Sequence, residues 1–269
     1  MSKGLRSISP LLLTLLITFI FSGVSCQPDD GRGSERVGAD FNTLTDTERR
    51  EGWVLLFDGK TFSGWRGIGQ DGVPEGHWII ENGALKKVPS GEVPLQADGQ
   101  PLAGGDLMTE RTFEDFELFF EWKISPAGNS GIKYNVSEEM SVSNPPENAA
   151  LGFEYQILDD TSHPDALNGE NRTAGALYDL IPPAGKILKP VGGFNTGRII
   201  FHAGHGEHWL NGTKVLEYDL DTDRFRLLFR GSKYREIAGF ADIRKGHIVL
   251  QDHTDAVFFR NIKIREIDP

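Results

Sequence analysis

Cysteine is almost missing. The chain has one in 269 residues, Cys26, so no disulfide can form within it. An excess of positive charge is missing too: 28 Lys and Arg stand against 39 Asp and Glu, a formal charge of −11. No basic cluster interrupts that acidic chain, which sets aside nucleic-acid and anionic-lipid binding. The apolar run "LLLTLLITFIF" falls short of the roughly 20 residues that a membrane-spanning helix needs. Helical periodicity is scarce. Glycine, by contrast, is plentiful at 32 residues, which suits tight turns between short strands.

Lys3 and Arg6 precede the apolar run and "GVSC" follows it, the form of an export signal. A lone cysteine is ordinarily a small core residue, but the position of Cys26, just after that run and behind small residues, favours another reading. The stretch resembles a bacterial lipoprotein cleavage site, with Gly23 where Leu, Val or Ile is usual. Residues 1–26 are therefore expected to be a leader and Cys26 to carry lipid. Loss of Lys3 and Arg6 with the leader leaves 26 basic against 39 acidic residues, a charge of −13. Residues 27–43, including "QPDDGRGSERVGAD", read as a flexible tether, and 44–269 as one folded domain. The expected location is exported, lipid-anchored in the bacterial periplasm or on the cell surface, with no other membrane contact.

"TDTERREG" offers a capping box, Thr45 with Glu48, and Gly52 as a stop, which predicts one short helix. Beyond it, "WVLLFDGK", "HWIIENGALKKV", "DFELFFEWKI", "SGIKYNV", "GFEYQIL", "GRIIFHAG", "EHWLNGTKVLEY", "GHIVLQDH" and "VFFRNIKIREI" are short and rich in aromatic and β-branched residues. "ENGAL" and "LNGTKV" carry Asn-Gly, a strong hairpin signal. Strands at this density predict an all-β protein of two packed antiparallel sheets, a sandwich or jelly roll.

Period two phases three of these strands. Phe116, Leu118, Phe120, Trp122 and Ile124 oppose Glu117, Phe119, Glu121 and Lys123. Ile132, Tyr134 and Val136 oppose Gly131, Lys133 and Asn135. Phe153, Tyr155 and Ile157 oppose Glu154 and Gln156. If the strands are neighbours, Glu121, Lys133, Glu154 and Gln156 share the outer face of one sheet. A charged residue on a solvated strand is ordinary; a carboxylate and an amide alternating in "GFEYQILDD" are less so.

"EYQILD" resembles the E-x-D-x-x-E signature of laminarinase-type glycoside hydrolases, with Gln156 in place of the central Asp and Asp159 in place of the second Glu. Parity turns Asp159 to the wrong face without a bulge, whereas Asp160 needs none. A second resemblance covers most of the chain. "GWVLLFDGKTFSGW", "DLMTERTFEDFELFFEWKISPAGNSGIKY", "GFEYQILDD", "GALYDL", "GRIIFHAGHGEHWLNG", "GHIVLQDH" and "VFFRNIKI" are similar, in that order, to the 3-keto-disaccharide hydrolase domain family. That resemblance implies a concanavalin A-like jelly-roll sandwich, cleavage of sugars oxidised at carbon 3, and export from bacteria. Lys133 after "NSGI", where many members carry an arginine, and Phe194-Asn195, where Trp-Asn is usual, depart from the family pattern.

The implied chemistry suits the residues. A C3 ketone acidifies the C2 proton, and the glycosidic oxygen on C1 is then a β leaving group. The reaction needs a base, an acid and a group that polarises the ketone. Glu121 and Glu154 are the expected acid–base pair, with environments that drive their pKa values apart. Lys133 and His253 are candidates for the ketone, Tyr134 being turned inward by its parity. Asn129, Gln156, Asp160 and Gln251 are expected to bind substrate with Lys133 and His253. No cofactor is expected; a divalent metal is left open.

Other clusters read as structure. His202, His205 and His208 recur every three residues but across a strand, a glycine turn and a strand, not on a helix face. "DLDTDRF" starts like a calcium loop, yet Arg224 and Arg230 stand where Gly and Glu are required, leaving a solvated loop. Arg260 shares parity with Phe258, Ile262 and Ile264 and is expected to pair with a buried carboxylate. Trp65 is a candidate for the rim of a sugar site. Two other functions share this architecture: a non-catalytic carbohydrate-binding module and a conventional two-carboxylate glycosidase.

Overall fold

The computed structural model describes residues 41–89, 105–144 and 149–268. The expected leader, Cys26 and nearly all of the expected tether lie outside the described residues. The helix α1 (Asp46–Arg50) starts at the capping box: Thr45 accepts the N–H of Glu48, and the Glu48 carboxylate accepts the N–H of Thr45. Asn42 exchanges hydrogen bonds with Asn261 and donates to the Gly83 carbonyl, so the folded body grips the chain there.

Thirteen strands follow among the described residues. They are β1 (Val54–Leu55), β2 (Trp65–Gly67), β3 (Trp78–Glu81), β4 (Ala84–Lys87), β5 (Leu107–Thr109), β6 (Phe116–Ile124) and β7 (Asn129–Val136). The rest are β8 (Phe153–Leu158), β9 (Asn195–His202), β10 (His205–Leu210), β11 (Thr213–Asp219), β12 (His247–Leu250) and β13 (Val257–Glu266). All pairings are antiparallel. Eight strands form one sheet in the order β11-β10-β9-β6-β13-β4-β3, with β1 added to β13, and five form the other in the order β2-β5-β12-β7-β8. The result is a concanavalin A-like jelly-roll sandwich. Both Asn-Gly pairs make hairpin turns, Asn82-Gly83 and Asn211-Gly212 having the positive φ at both positions that a type I′ turn requires.

The core lies between the sheets. Phe116, Leu118, Phe120, Trp122 and Ile124 of β6 face Ile132, Tyr134, Phe153, Tyr155 and Ile157 of β7 and β8. Trp65 belongs to this core, its indole N–H donating to the Leu56 carbonyl, and is not a rim residue. His208 is inside as well, hydrogen-bonded to the Tyr134 hydroxyl and the Gly175 carbonyl; burial drops its pKa to about 4, so it is neutral.

Three local readings are corrected. Asn135 adopts φ 51° and β7 slips register there, so Val136 turns away from Ile132 and Tyr134 and joins Met108 and Val249 in a smaller apolar cluster. Asn261, at φ 50°, breaks the phase of β13, so Arg260 shares its side with Phe258 while Ile262 and Ile264 point into the core. "DLDTDRF" is not a solvated loop: Thr222 caps a helix, α3 (Asp223–Gly231), which with α2 (Glu138–Ser143) makes two α-helices beyond α1 among the described residues.

Candidate active site

The polar faces of β7 and β8 are not solvated. Every residue of both strands is buried; the chain after β8 folds back along its edge, where the Gln156 amide donates to the Arg172 carbonyl and Tyr178 lines the same pocket as Glu154. The N–H of Gln156 donates to the Ala176 carbonyl, that of Gly175 to the Gln156 carbonyl and that of Tyr178 to the Glu154 carbonyl, so residues 175–178 run beside β8 like an added strand. A carboxylate and an amide on this face therefore stand in a roofed recess. That accounts for a composition unlike a wet sheet face.

The recess holds a small, partly open pocket of about 40 Å³ lined by Asn129, Glu154, Gln156, Tyr178, Lys233, Gln251 and His253. Register places its floor: Lys133 lies opposite Glu154, and Gly131 opposite Gln156. Gln251 continues β12 past its last strand residue, its N–H donating to the Gly131 carbonyl. Gly131 is required here because a Cβ would sit 2.6 Å from a Glu154 carboxylate oxygen. Three buried acceptors facing this region have no hydrogen-bond partner: Asn129 Oδ1, Glu154 Oε2 and Gln251 Oε1. Buried acceptors are rarely left so.

Glu154 is 3% exposed. The Lys133 ammonium is 4.0 Å away and donates instead to the Ala150 carbonyl at 3.1 Å. Burial pushes the Glu154 carboxyl up from the usual carboxylate range; Lys133 and Lys233 oppose the rise, and Asp106 and Asp165 add to it. Across the pocket, the Tyr178 hydroxyl donates to Asp165 at 2.9 Å and accepts from Arg172 at 3.0 Å, while Arg172 also holds Asp179 at 2.8 Å. Burial, with the charges of Glu154 and Asp165, keeps the Tyr178 phenol far above its ordinary value. The Lys233 ammonium lies 4.6 Å from the Tyr178 ring centre, a cation–π contact.

Of the residues expected at a site, Asn129, Glu154, Gln156, Gln251 and His253 line this pocket, and Lys133 lies beside it. Glu121 does not join them. Strand β6 belongs to the eight-stranded sheet, so Glu121 is on the outer face of the opposite layer. There it is consumed by structure: Arg260 Nε donates to it at 2.7 Å and Asn261 at 2.8 Å, and the guanidinium is clamped between Phe41 and Phe194. Glu121 is thus the partner expected for Arg260. Asp160 is also elsewhere, accepting the N–H of Ala174 and pairing with Lys186 at 2.6 Å to tie the roof down. Asp159 is turned away from the pocket. Burial works against its ionisation, but hydrogen bonds from Thr161 and Ala127 hold its pKa down near about 2.

Two pocket residues escaped the sequence reading. Tyr178 comes from "GALYDL" in the roof and Lys233 from a 3₁₀ turn after α3, and neither lies on a strand whose phase could reveal it. Among the described residues, the one grouping with metal-ligand spacing is His205, Glu207 and Glu217 on β10 and β11, in the other sheet. Lys214 already pairs with both of its carboxylates.

A secluded polar pocket on a jelly-roll sandwich is the setting of a carbohydrate-active protein, and the chain's relatives agree. Residues 52–265 match the 3-keto-α-glucoside-1,2-lyase-like domain family. A 3-keto-disaccharide hydrolase of Bacteroides thetaiotaomicron is 39% identical over 236 residues, which are 81% of this chain and 79% of that one. A crystal structure from Parabacteroides distasonis, described as a candidate glycosyl hydrolase, superposes with a TM-score of 0.73 at 28% identity, covering 85% of this chain and all of that one. A second from the same organism reaches 0.57 at 24% identity, over 80% of this chain and 99% of its own, which shows the shared fold. By class the protein is a glycoside hydrolase or lyase. It belongs to the 3-keto-α-glucoside-1,2-lyase-like domain family.

Proposed function

We propose that the pocket on the five-stranded sheet cleaves 3-keto-glycosides, with Glu154 as the base that removes the proton from C2. The observation that carries this reading is the buried Glu154 carboxylate, with one oxygen unpartnered and its pKa raised by burial. Such a group is poised to take a proton rather than to hold an ion pair. The unpartnered Asn129 and Gln251 oxygens would accept the hydroxyls of a sugar, the kind of donor-rich ligand they lack in the free protein.

In this mechanism Glu154 takes the C2 proton, and the electron pair moves into a C2–C3 enolate whose oxygen is stabilised by the Lys233 cation. The C1–O bond then breaks and the leaving oxygen takes a proton, for which His253 on the pocket wall is the candidate donor. Water adds at C1 and a proton returns to C2, so the net change is hydrolysis. Among the described residues a single carboxylate, Glu154, lines the pocket, which favours this route over a glycosidase that needs two facing carboxylates.

The test is incubation in heavy water with a 3-keto-disaccharide and with its unoxidised parent. Release of aglycone from the keto sugar alone, with deuterium at C2 of the product, is expected. Equal cleavage of the parent, or efficient cleavage with no exchange at C2, contradicts the mechanism; cleavage of neither leaves a binding module. On the strength of the leader, the enzyme is further proposed to be exported and anchored through Cys26. Cys26→Ser should then move it from the membrane to the soluble fraction.

A further inference from the structure

We propose that Asp106, which lies outside the pocket, is a positioning residue for Glu154: it ties together the two segments that flank the site and competes with Glu154 for the charge of Lys133. The proposal rests on the reading of Glu154 as the proton-accepting group.

Asp106 is 3% exposed and precedes β5. One of its oxygens accepts the N–H of Asp252 at 2.7 Å and the other the N–H of Ala150 at 3.1 Å. Both bonds matter to the pocket. Asp252 stands between Gln251 and His253, so the first bond fixes the segment that presents those two side chains. Ala150 passes the second bond on, because its carbonyl accepts from the Lys133 ammonium, the group 4.0 Å from Glu154. A carboxylate whose two oxygens both accept N–H groups is arranged as an anion.

The charge count around this point is uneven. Asp252 is compensated within its own cluster, pairing with Lys87 at 3.0 Å and His77 at 2.6 Å and accepting the N–H of Thr254. Lys133 is left facing two buried acids, Asp106 and Glu154. The other ionisable groups around Glu154 are Lys233 beyond α3, Asp165 and Tyr178 in the roof, Tyr234, and His253 on the wall. Burial pushes the Asp106 carboxyl up, while Lys133 and the N–H groups of Asp252 and Ala150 oppose the rise; once ionised, Asp106 repels charge on Glu154 and draws on the same ammonium. Without it, Lys133 would serve Glu154 alone and hold it as a carboxylate to lower pH, a weaker base. Asp106 thus keeps the base basic without touching substrate.

The experiment is a carboxyl ¹³C NMR titration of the ligand-free protein labelled at glutamate, with Glu154→Gln assigning the Glu154 signal. Asp106→Asn should lower the Glu154 midpoint by about one pH unit, and Asp106→Glu, which keeps the charge, should restore most of it. Lys133→Met should move the midpoint the other way. The acid limb of kcat/KM should follow each shift, which loss of packing alone would not produce. A Glu154 midpoint unmoved in Asp106→Asn overturns the proposal. Should that variant fail to fold, a midpoint unmoved in Lys133→Met overturns it instead. Because the titration uses no substrate, its result stands apart from the cleavage assay: a failed cleavage removes the role of Glu154 as base and leaves the coupling intact.

Discussion

Glu121 and Glu154 start from the same sequence logic, each a carboxylate at the polar phase of a strand whose other side is aromatic, and end in opposite circumstances. Glu121 meets Arg260 directly across β6 and β13, and Asn261 takes its second oxygen. Glu154 meets Lys133 directly across β7 and β8, but that ammonium bonds the Ala150 carbonyl and leaves Glu154 Oε2 without a partner. A satisfied carboxylate is a strut. An unsatisfied one, roofed from water, has a proton affinity to use. The partner supplied by the neighbouring strand therefore decides which acid can do chemistry, and strand phase alone does not.

The largest effect expected from this contrast is on turnover. Glu154→Gln should lower kcat on a 3-keto-glycoside by about 10²–10⁴-fold, the usual contribution of a general base, with little change in binding. Glu121→Gln should leave kcat/KM within about threefold of the parent. Equal losses from both, read by aglycone release, would break the comparison.

Gly131→Ala is expected to be milder. The new Cβ would press on the Glu154 carboxylate from 2.6 Å, and displacing a base by that order should cost about 10- to 100-fold in kcat/KM. Unchanged kinetics would mean that Glu154 need not lie where the structure puts it.

Stability should move in opposite directions. Glu121→Gln weakens the hold on the Arg260 guanidinium, a loss of about 1–3 kcal/mol. At roughly 2–4 °C per kcal/mol in a domain of this size, that is a readily measured fall in Tm. The sign differs for Glu154, whose folded-state pKa lies above its unfolded value. Between those two values the native state binds the extra proton, so the stability that Glu154 contributes is full below the unfolded pKa and is lost as pH rises through the folded one. Glu154→Gln removes this dependence. At neutral pH the variant should match or exceed the parent in Tm, and its lead should vanish toward pH 4. A neutral-pH Tm clearly below the parent's would show the carboxylate to be stabilising and the contrast false.

Much of this was legible in the sequence. Short aromatic and β-branched runs marked most strands but missed β2 and β5, Asn-Gly marked two hairpins, and Thr45 with Glu48 marked the first helix. Period two also grouped Lys133, Glu154 and Gln156, and Asn129, Gln251 and His253 were expected as substrate binders. It could not say which sheet β6 enters, because phase reports which side of a strand is polar and nothing about its neighbours; Glu121 was misplaced for that reason. Phase also fails where an asparagine takes a left-handed conformation, at Asn135 and Asn261. Tyr178, Lys233 and Asp106 lie outside regular alternation, and only the folded chain brings them to Glu154.

A crystal structure of Glu154→Gln soaked with a 3-keto-disaccharide tests the central claim most directly. The account predicts the keto ring in the pocket of Asn129, Gln156, Tyr178, Lys233, Gln251 and His253, with C2 facing the side chain at position 154 and hydroxyls on the Asn129 and Gln251 oxygens. A sugar bound instead on the outer face of the eight-stranded sheet beside Glu121, or a ring in the pocket with C2 turned away from position 154, would contradict it.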